Sequence, residues 1–160
     1  MFLFITLEML RRTHIAIGLA IALQFLQHVN GKALFLVVVL VSSILPDVDS
    51  PRSFLGKSWF GKPLNMIASH RGFLHSYTFC ILLSIFFALF YPIFAFPFFL
   101  GYSFHLFADS FTPGGIRPFW PFKNSSSGNV ITGGKIEDVI FWVFVLINIT
   151  LIVLLFVYYV

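Results

Sequence analysis

Charged residues are scarce in this 160-residue chain. Asp, Glu, Lys and Arg together make up 10% of the sequence, whereas hydrophobic residues make up 59%. A soluble globular domain carries about 25% charged residues. The scarcity of charge therefore excludes an ordinary soluble domain. It predicts an integral membrane protein in which residues 1–160 form one membrane-embedded domain.

Cysteine is rarer still, because Cys80 is the only one in the sequence. A single cysteine excludes a disulfide framework within the chain, and its place inside an apolar run indicates a small buried side chain. Basic residues are also few, since ten Lys and Arg give a net charge of +4 and are scattered among short loops. We therefore expect no nucleic-acid partner.

A signal-peptide cleavage site is also missing from the N-terminal region. Arg11 and Arg12 precede an apolar stretch from Ile15 to Phe25, as in a secretory signal. No small-residue cleavage motif follows in the segment Gln24-Phe25-Leu26-Gln27. We therefore expect this segment to be retained as the first helix.

Apolar runs separated by turn residues predict an all-α, polytopic membrane bundle of five transmembrane helices. The predicted helices cover residues 13–28, 32–45, 69–90, 97–111 and 136–160, with polar loops before the third and the fifth. Thr13 can cap the first helix, Pro46 ends the second, and Pro97 suits the first position of the fourth. The first, second and fourth helices are short for a hydrocarbon core of about 30 Å.

Candidate metal ligands gather on one side of the predicted bundle. If the five helices alternate in direction, the first, third and fifth helices start on the side where the second and fourth end. Seven His and Asp residues belong to that side: His14, Asp47, Asp49, His70, His75, His105 and Asp109. Ionisable residues at membrane depth are costly and are retained where they pair or bind something. His28 lies at the opposite end, and we interpret it as an ordinary interfacial residue.

The basic residues predict which side of the membrane this is. Nine of the ten lie on the same side as the candidate ligands: Arg11, Arg12, Arg52, Lys57, Lys62, Arg71, Arg117, Lys123 and Lys135. The tenth, Lys32, lies on the other side. Because short cytoplasmic loops are enriched in Lys and Arg, we expect the candidate site and the N-terminus to face the cytoplasm and the C-terminus to lie outside.

The residue types in this group are those of a divalent metal centre. His105 and Asp109 are four residues apart in a predicted helix, so they share a face and can bind one ion. Histidine and carboxylate ligands without a thiolate suit Zn²⁺ first, and Mn²⁺ or Fe²⁺ as alternatives. Seven candidate ligands exceed the needs of one tetrahedral ion. The sequence therefore predicts two or more ions, about 3.5–4 Å apart.

Such a centre is typical of phosphoester hydrolysis by metal-activated water. Asp49 is either a further ligand or the general base. Arg71 can pair with phosphate oxygens through its planar guanidinium, although it can equally serve as a cytoplasmic anchor. Glu137 and Asp138 lie at the start of the fifth helix, where the helix dipole favours acidic side chains.

Several short motifs resemble those of a known family. They are Thr13-His14 with Gly18, Leu45-Pro46-Asp47-Val48-Asp49, His70-Arg71-Gly72 with His75-Ser76, Gly101-Tyr102 with His105 and Asp109, Thr112-Pro113-Gly114-Gly115, and Phe119-Trp120-Pro121. As an ordered set over residues 13–123, they are similar to the YdjM-like family, LexA-regulated inner-membrane proteins described as metal-dependent hydrolases. The resemblance implies a membrane-bound metal-dependent hydrolase.

The same motifs are distantly similar to zinc-dependent phospholipase C and nuclease enzymes, which use three metal ions in an all-helical fold. Those phospholipases also use a free N-terminal amine as a ligand, and no residue of this sequence matches that amine. The resemblance therefore does not fix the number of ions or imply phospholipase activity.

The sequence thus predicts a hydrolase that acts on a phosphoester, such as a lipid headgroup, at the cytoplasmic leaflet of the bilayer. The alternative function is a metal-ion or proton transporter, because intramembrane His and Asp residues also line ion paths. A transporter needs ionisable groups at mid-depth or on both sides of the membrane. The far side of this chain offers only His28 and Lys32.

Overall fold

The computed structural model describes residues 9–49 and 73–159, with Val48, Asp49 and Tyr159 described through their backbone alone. Its α-helices are α1 (Arg11–Phe25), α2 (Lys32–Ser42), α3 (Tyr77–Phe90), α4 (Pro92–Asp109) and α5 (Lys135–Tyr159). Short 3-10 helices cover Leu26–His28 and Leu45–Asp49. The described ranges contain no strand, so the all-α prediction is confirmed for them.

The helix α4 lies at the centre of the bundle. It packs against α1, α2 and α3, whereas α5 packs against α1. On one side of α4, the buried side chains of Tyr102 and Leu106 pack with Cys80 of α3. On another side, Leu100 packs with Ala22 of α1 and Val39 of α2. Side chains near the C-terminal end of α4 are therefore surrounded by the ends of its neighbours.

Two glycines allow α1 and α4 to approach the C-terminal end of α2 closely. A Cβ atom at Gly101 would lie 2.3 Å from the carbonyl oxygen of Val39, and one at Gly18 would lie 2.7 Å from the Ser43 hydroxyl oxygen. Small residues serve the same purpose in membrane bundles, where backbone approach replaces much of the hydrophobic driving force. The position of Ser43 is thus fixed from both sides.

The first two helices differ from the prediction at three of their ends. The N-cap of α1 is Leu10 rather than Thr13, because the Thr13 hydroxyl donates a hydrogen bond to Glu137 on α5. The α-helical geometry of α1 stops at Phe25 and continues as a 3-10 turn to His28. Likewise, α2 ends at Ser42, before the turn that contains Pro46.

The helix α3 begins later than the predicted start near residue 69, which lies outside the described residues. Residues 73–76 form a turn, and Ser76 is the N-cap whose hydroxyl oxygen accepts a hydrogen bond from the Phe79 N–H at 3.2 Å. His75 therefore precedes the helix and projects from a turn.

The prediction that Pro97 occupies the first position of the fourth helix is wrong. The helix α4 already begins at Pro92, and Pro97 lies inside it. Pro92 suits a helix start because the first N–H groups have no intrahelical partner. Pro97 removes one backbone hydrogen bond, and the surrounding helical packing tolerates this loss.

The loop between α4 and α5 folds back on the end of α4. The Val130 N–H donates to the Phe111 carbonyl at 2.9 Å, and Ile116 forms an isolated β-bridge with Ser126. Gly115 adopts a positive φ of 58° at this bridge, where a Cβ atom would lie 2.2 Å from the Ser126 carbonyl oxygen. The predicted polar loop is therefore an ordered cover over the last turn of α4.

Helix length separates α5 from the other four helices. Among the described residues, the stretch Lys135–Tyr158 is the one helix long and apolar enough to cross a bilayer on its own. At 1.5 Å per residue, α1 to α4 are about 16–27 Å long, against a hydrocarbon core of about 30 Å. The described ranges thus contain five α-helices, of which one meets the length expected of a full span.

The close approach at Gly101 predicts a stability effect. Gly101→Ala should lower the free energy of unfolding by about 1–3 kcal/mol, because the added methyl group overlaps the α2 backbone. Thermal unfolding in detergent can be followed by a thiol-reactive dye, since the single cysteine, Cys80, is buried. Gly31→Asn is the control, because Gly31 has a φ of 71° and a Cβ atom added there would meet nothing within 4 Å. Equal melting temperatures for Gly101→Ala and the wild type would show that the helices do not pack this closely.

Candidate metal centre

Four buried side chains converge at one end of the bundle. Asp47 comes from the 3-10 turn after α2, His75 from the turn before α3, and His105 and Asp109 from the last two turns of α4. One nitrogen or oxygen atom from each lies within 4.8 Å of the corresponding atoms of the other three. Three separate chain segments thus supply two imidazoles and two carboxylates to one small volume.

The two imidazoles face the same pair of carboxylate oxygens. His105 Nε2 lies 3.5 Å from Asp47 Oδ1 and 3.5 Å from Asp109 Oδ2. His75 Nε2 lies 3.9 Å from each of these two oxygens. Neighbouring ligands of a tetrahedral zinc ion at about 2.0–2.1 Å are about 3.3 Å apart. The four atoms, which lie within 4.8 Å of one another, would therefore have to move closer together to hold one such ion.

His14 lies beside this group without belonging to it. Its ring stacks on the His105 ring with centroids 3.9 Å apart and an interplanar angle of 18°. Its Nε2 atom lies 3.3 Å from Asp109 Oδ1, the carboxylate oxygen that does not face His75 and His105. Each carboxylate oxygen of Asp109 therefore faces at least one histidine: Oδ1 faces His14, and Oδ2 faces His75 and His105.

The orientation of His105 is fixed by a backbone carbonyl that follows α2. His105 Nδ1 lies 2.8 Å from the Ser43 carbonyl oxygen, which can only accept, so Nδ1 carries the proton in this hydrogen bond. In the neutral ring, Nε2 then carries the lone pair and faces Asp47 and Asp109. Metal-binding histidines are commonly held in this way, by a hydrogen bond from the nitrogen that does not bind the ion.

The orientation of Asp109 is fixed by the segment that leads into α1. The Met9 N–H donates to Asp109 Oδ1 at 3.1 Å, and the contact is buried. The second oxygen, Oδ2, has no hydrogen-bond partner among the described residues, and the same holds for Asp47 Oδ1 and His105 Nε2. Buried polar atoms without partners are expensive. Three such atoms aimed at one point fit a site for a cation.

The turn that carries His75 is held by contacts on both sides. The Tyr102 hydroxyl of α4 donates to the Leu74 carbonyl at 2.6 Å, and the Tyr77 N–H donates to the Pro118 carbonyl at 2.9 Å. The Phe73 ring packs edge-on against Trp120, with centroids 5.0 Å apart. The loop after α4 therefore supports the His75 turn as well as the end of its own helix.

The charges in the cluster stabilise the ionised form of Asp47. Burial alone would raise the pKa of this carboxyl, but its interaction with His75 and the charge of His105 outweigh the effect, so the pKa of Asp47 is lowered from its usual value. Asp47 thus offers an anionic carboxylate at neutral pH.

The structure describes the side chains of five of the seven predicted ligands. Asp47, His75, His105 and Asp109 form the cluster, and His14 stacks against it. The predicted ligand His70 and the predicted substrate contact Arg71 lie outside the described residues, as does the side chain of Asp49, the predicted ligand or base. His28 lies in the 3-10 turn at the other end of α1, away from the cluster.

Sequence reasoning missed the residues that support the cluster. Ser43 and Tyr102 act through the hydrogen bonds described above, and Glu137 is completely buried, which the helix dipole alone does not explain. A partial signal was available, because Ser42 and Ser43 interrupt an apolar run immediately before Pro46 and Asp47. Glu137 gave no such signal, since acidic residues are ordinary at helix starts.

Comparison with known proteins identifies the family. The sequence model of the YdjM inner membrane protein family matches residues 9–160. The chain belongs to this family. It is similar to the inner membrane protein YdjM of Escherichia coli strain K12, with 37% identity over 91 residues that cover 51% of this chain and 46% of that protein. The YdjM protein of Shigella flexneri matches with the same identity and coverage. No solved structure matches the chain.

Family membership confirms the predicted resemblance and the association of the chain with a lipid bilayer. The aligned region spans about half the length of the curated relatives, 46% of each. Their names describe a location in the inner membrane and no reaction. The activity of this chain must therefore be argued from its own side chains.

The cluster predicts that the purified protein contains a divalent metal. His105→Ala and Asp109→Ala should each remove at least one equivalent of metal, because each change deletes one of four facing ligand atoms. Elemental analysis of detergent-purified protein, before and after treatment with a chelator, measures this content. His28→Ala is the matched control and should keep the metal. Wild-type metal content in all three variants would contradict the site.

Proposed function

We propose that this chain is a metal-dependent hydrolase of the inner membrane that cleaves a phosphoester, such as a lipid headgroup, at the cytoplasmic face. The observation that carries the proposal is the buried group of Asp47, His75, His105 and Asp109. Its donor set is two imidazole nitrogens and two carboxylate oxygens, a set that suits Zn²⁺ first and Mn²⁺ or Fe²⁺ as alternatives.

The geometry of Asp109 supports the ligand assignment. Asp109, Asp47, His75 and His105 would hold one ion. His14, whose Nε2 lies 3.3 Å from Asp109 Oδ1, would contribute to holding a second. We assign His70 and Asp49 to complete the ligand shell, Asp49 as ligand or general base. Bound divalent ions would supply Lewis acidity toward a phosphoryl oxygen and toward the attacking water.

Burial would strengthen the electrostatic effect of the cluster on a reacting group. Asp47, His75 and His105 are almost inaccessible to solvent, with 4%, 1% and 1% of their surface exposed. In such surroundings, fixed charges and dipoles act on a reacting group more strongly than they do in water. We assign Arg71, which immediately follows His70, to bind phosphate oxygens through its planar guanidinium.

The distribution of buried charge favours a hydrolase over a metal-ion or proton transporter. Among the described residues, every buried His, Asp or Glu lies at the cluster end of the bundle: His14, Asp47, His75, His105, Asp109 and Glu137. Further along the helices, the interior contains apolar side chains such as Ala22, Phe35, Val39 and Leu100. An ion path across the membrane needs ionisable groups at mid-depth, and the described part of this interior supplies none.

We further propose that all five helices cross the bilayer and that the cluster faces the cytoplasm. The exposed side chains of α2 to α5 support this arrangement, because large apolar residues such as Val37, Leu82, Phe96 and Leu146 are more than a third exposed. Lipid tails would cover these side chains. Nine of the ten basic residues lie on the predicted cluster side of the sequence, as expected for cytoplasmic loops.

The topology predicts that the C-terminus lies outside the cytoplasm. A reporter fused after Val160 should be active only if it is an enzyme that functions outside, such as a periplasmic phosphatase. A matched fusion after Lys123, in the loop between α4 and α5, should show the cytoplasmic type of signal. A cytoplasmic signal from the Val160 fusion would mean that an even number of helices cross the membrane or that the N-terminus lies outside.

Turnover measurements test the reaction. Purified protein should hydrolyse at least one member of a panel of phospholipids and nucleotides, and His105→Ala should abolish this activity. Arg71→Lys keeps the charge but loses the bidentate contact, so kcat/KM should fall about a hundredfold, on the order of 3 kcal/mol, while metal content is unchanged. Arg117→Lys, in an exposed loop, is the control. Wild-type turnover by Arg71→Lys would show that Arg71 serves as a cytoplasmic anchor and does not bind substrate.

A further inference from the structure

We propose that Glu137 is a positioning residue that holds His14 and Asp109 in place through the segment leading into α1. The inference rests on the proposed metal site, since it assigns Glu137 a task for two side chains of that site. Glu137 lies in the first turn of α5, a helix that supplies none of the four clustered side chains. Its side chain is nevertheless completely buried, with 0% of its surface exposed.

Both carboxylate oxygens of Glu137 accept hydrogen bonds. Oε1 accepts from the Leu10 N–H at 2.6 Å and from the Thr13 hydroxyl at 3.1 Å, and Oε2 accepts from the Gly133 N–H at 2.5 Å. Leu10 is the N-cap of α1 and provides no side-chain hydrogen bond of its own. Glu137 therefore accepts hydrogen bonds from donors at the start of α1, which lies more than 120 residues earlier in the sequence. A capping side chain within the same helix usually performs this task.

The same segment holds Asp109 through the adjacent amide. The Met9 N–H donates to Asp109 Oδ1 at 3.1 Å, while the Leu10 N–H donates to Glu137. Two consecutive backbone amides thus bind carboxylates from α4 and α5. A shift of Leu10 away from Glu137 would carry Met9 away from Asp109, and Oδ1 would lose its hydrogen-bond donor.

His14 follows Thr13 directly and faces the same oxygen of Asp109, at 3.3 Å. The Thr13 side chain is fully buried and donates to Glu137, and this contact fixes how the first turn of α1 is rotated about the helix axis. In this orientation, the His14 ring stacks on the His105 ring. Glu137 therefore acts on the cluster through Met9 and Thr13, without contacting the ligand atoms.

The neighbouring Asp138 shows that the helix dipole is not a sufficient reason for Glu137. Asp138 lies in the same first turn of α5, is 48% exposed, and forms a surface ion pair with Arg12, whose guanidinium lies over the Phe141 ring. This exposed carboxylate already complements the dipole. Burial of a second carboxylate, that of Glu137, requires hydrogen-bond partners to offset its desolvation. Two of these partners, the Leu10 N–H and the Thr13 hydroxyl, lie at the start of α1.

The test compares Glu137→Gln with Asp138→Asn in the full chain purified in detergent. Glu137→Gln replaces one carboxylate oxygen by an NH₂ group, which cannot accept, so at least one of the three hydrogen bonds to this side chain must break. The affinity for Co²⁺, used as the metal probe, should fall about tenfold to a hundredfold in Glu137→Gln, as for other residues that orient metal ligands. The Co²⁺ absorption bands should shift as well. Asp138→Asn should keep both the affinity and the spectrum.

A metal-free measurement separates this inference from the metal site itself. In nitrogen-15 histidine spectra of the metal-free protein, Glu137→Gln should move the His14 ring signals, assigned with His14→Gln, and leave those of His28 unchanged. Thr13→Val, which removes one donor and keeps the side-chain shape, should move the His14 signals in the same direction. This second variant decides the question if Glu137→Gln does not fold, as judged by the reactivity of Cys80.

Unchanged His14 signals in either folded variant would overturn the proposal. Unchanged Co²⁺ affinity in Glu137→Gln would also overturn it, because the contact would then have no effect on the site. If the wild type itself bound no Co²⁺, the proposed metal site would fail, while the His14 signals would still decide whether Glu137 positions that residue.

Discussion

The hydrogen bond from His105 Nδ1 to the Ser43 carbonyl oxygen joins the packing of the bundle to the chemistry of its end. This bond, 2.8 Å long, forms only if the backbones of α2 and α4 approach closely, which Gly101 permits. The same stretch of α2 continues into the turn that carries Asp47. One helix contact therefore sets the tautomer of His105 and the distance between His105 and Asp47. Packing and ligand geometry are a single constraint in this protein.

The second constraint is electrostatic. Asp47 and Asp109 are both buried, and no Lys or Arg of the described ranges forms an ion pair with either carboxylate. The neighbouring positive charge that offsets the desolvation of Asp47 comes from histidine. A divalent ion would neutralise both carboxylates and satisfy the facing atoms together. Ion binding and folding of this end of the bundle should therefore be coupled.

Sequence reasoning predicted the order of the helices and the end of the bundle at which the polar residues meet, because both follow from the order of apolar runs and from alternation in direction. It did not predict how the helices start. Thr13 is a residue type typical of an N-cap, but a buried carboxylate on α5 takes its hydroxyl. Pro97 is a residue type typical of a helix start, but Pro92 five residues earlier takes that place. Local sequence preferences identified residues that suit a helix start, but they did not predict which residues occupy the helix starts in the folded chain.

The supporting residues were beyond the reach of sequence patterns for the same reason. Ser42 and Ser43 interrupt the apolar run, but the role of Ser43 lies in its carbonyl group, which every residue possesses, so its identity did not indicate the contact with His105. The role of Glu137 depends on Leu10 and Thr13, which are separated from it by most of the chain. The candidate ligands could be predicted, since His and Asp are rare in this apolar sequence and lie near the ends of apolar runs.

The unequal lengths of the helices bear on the thickness of the surrounding bilayer. With 25 residues, α5 is about 37 Å long, whereas α2, with 11 residues, is about 16 Å long. If both lie in one membrane, the bilayer can match α2 by becoming thinner beside it, at an energetic cost for each ångström of mismatch. Such thinning would lower the headgroup layer toward the end of α2, where Asp47 begins the cluster. The chain length of the bilayer lipids would then set the distance between the headgroups and this end of the bundle.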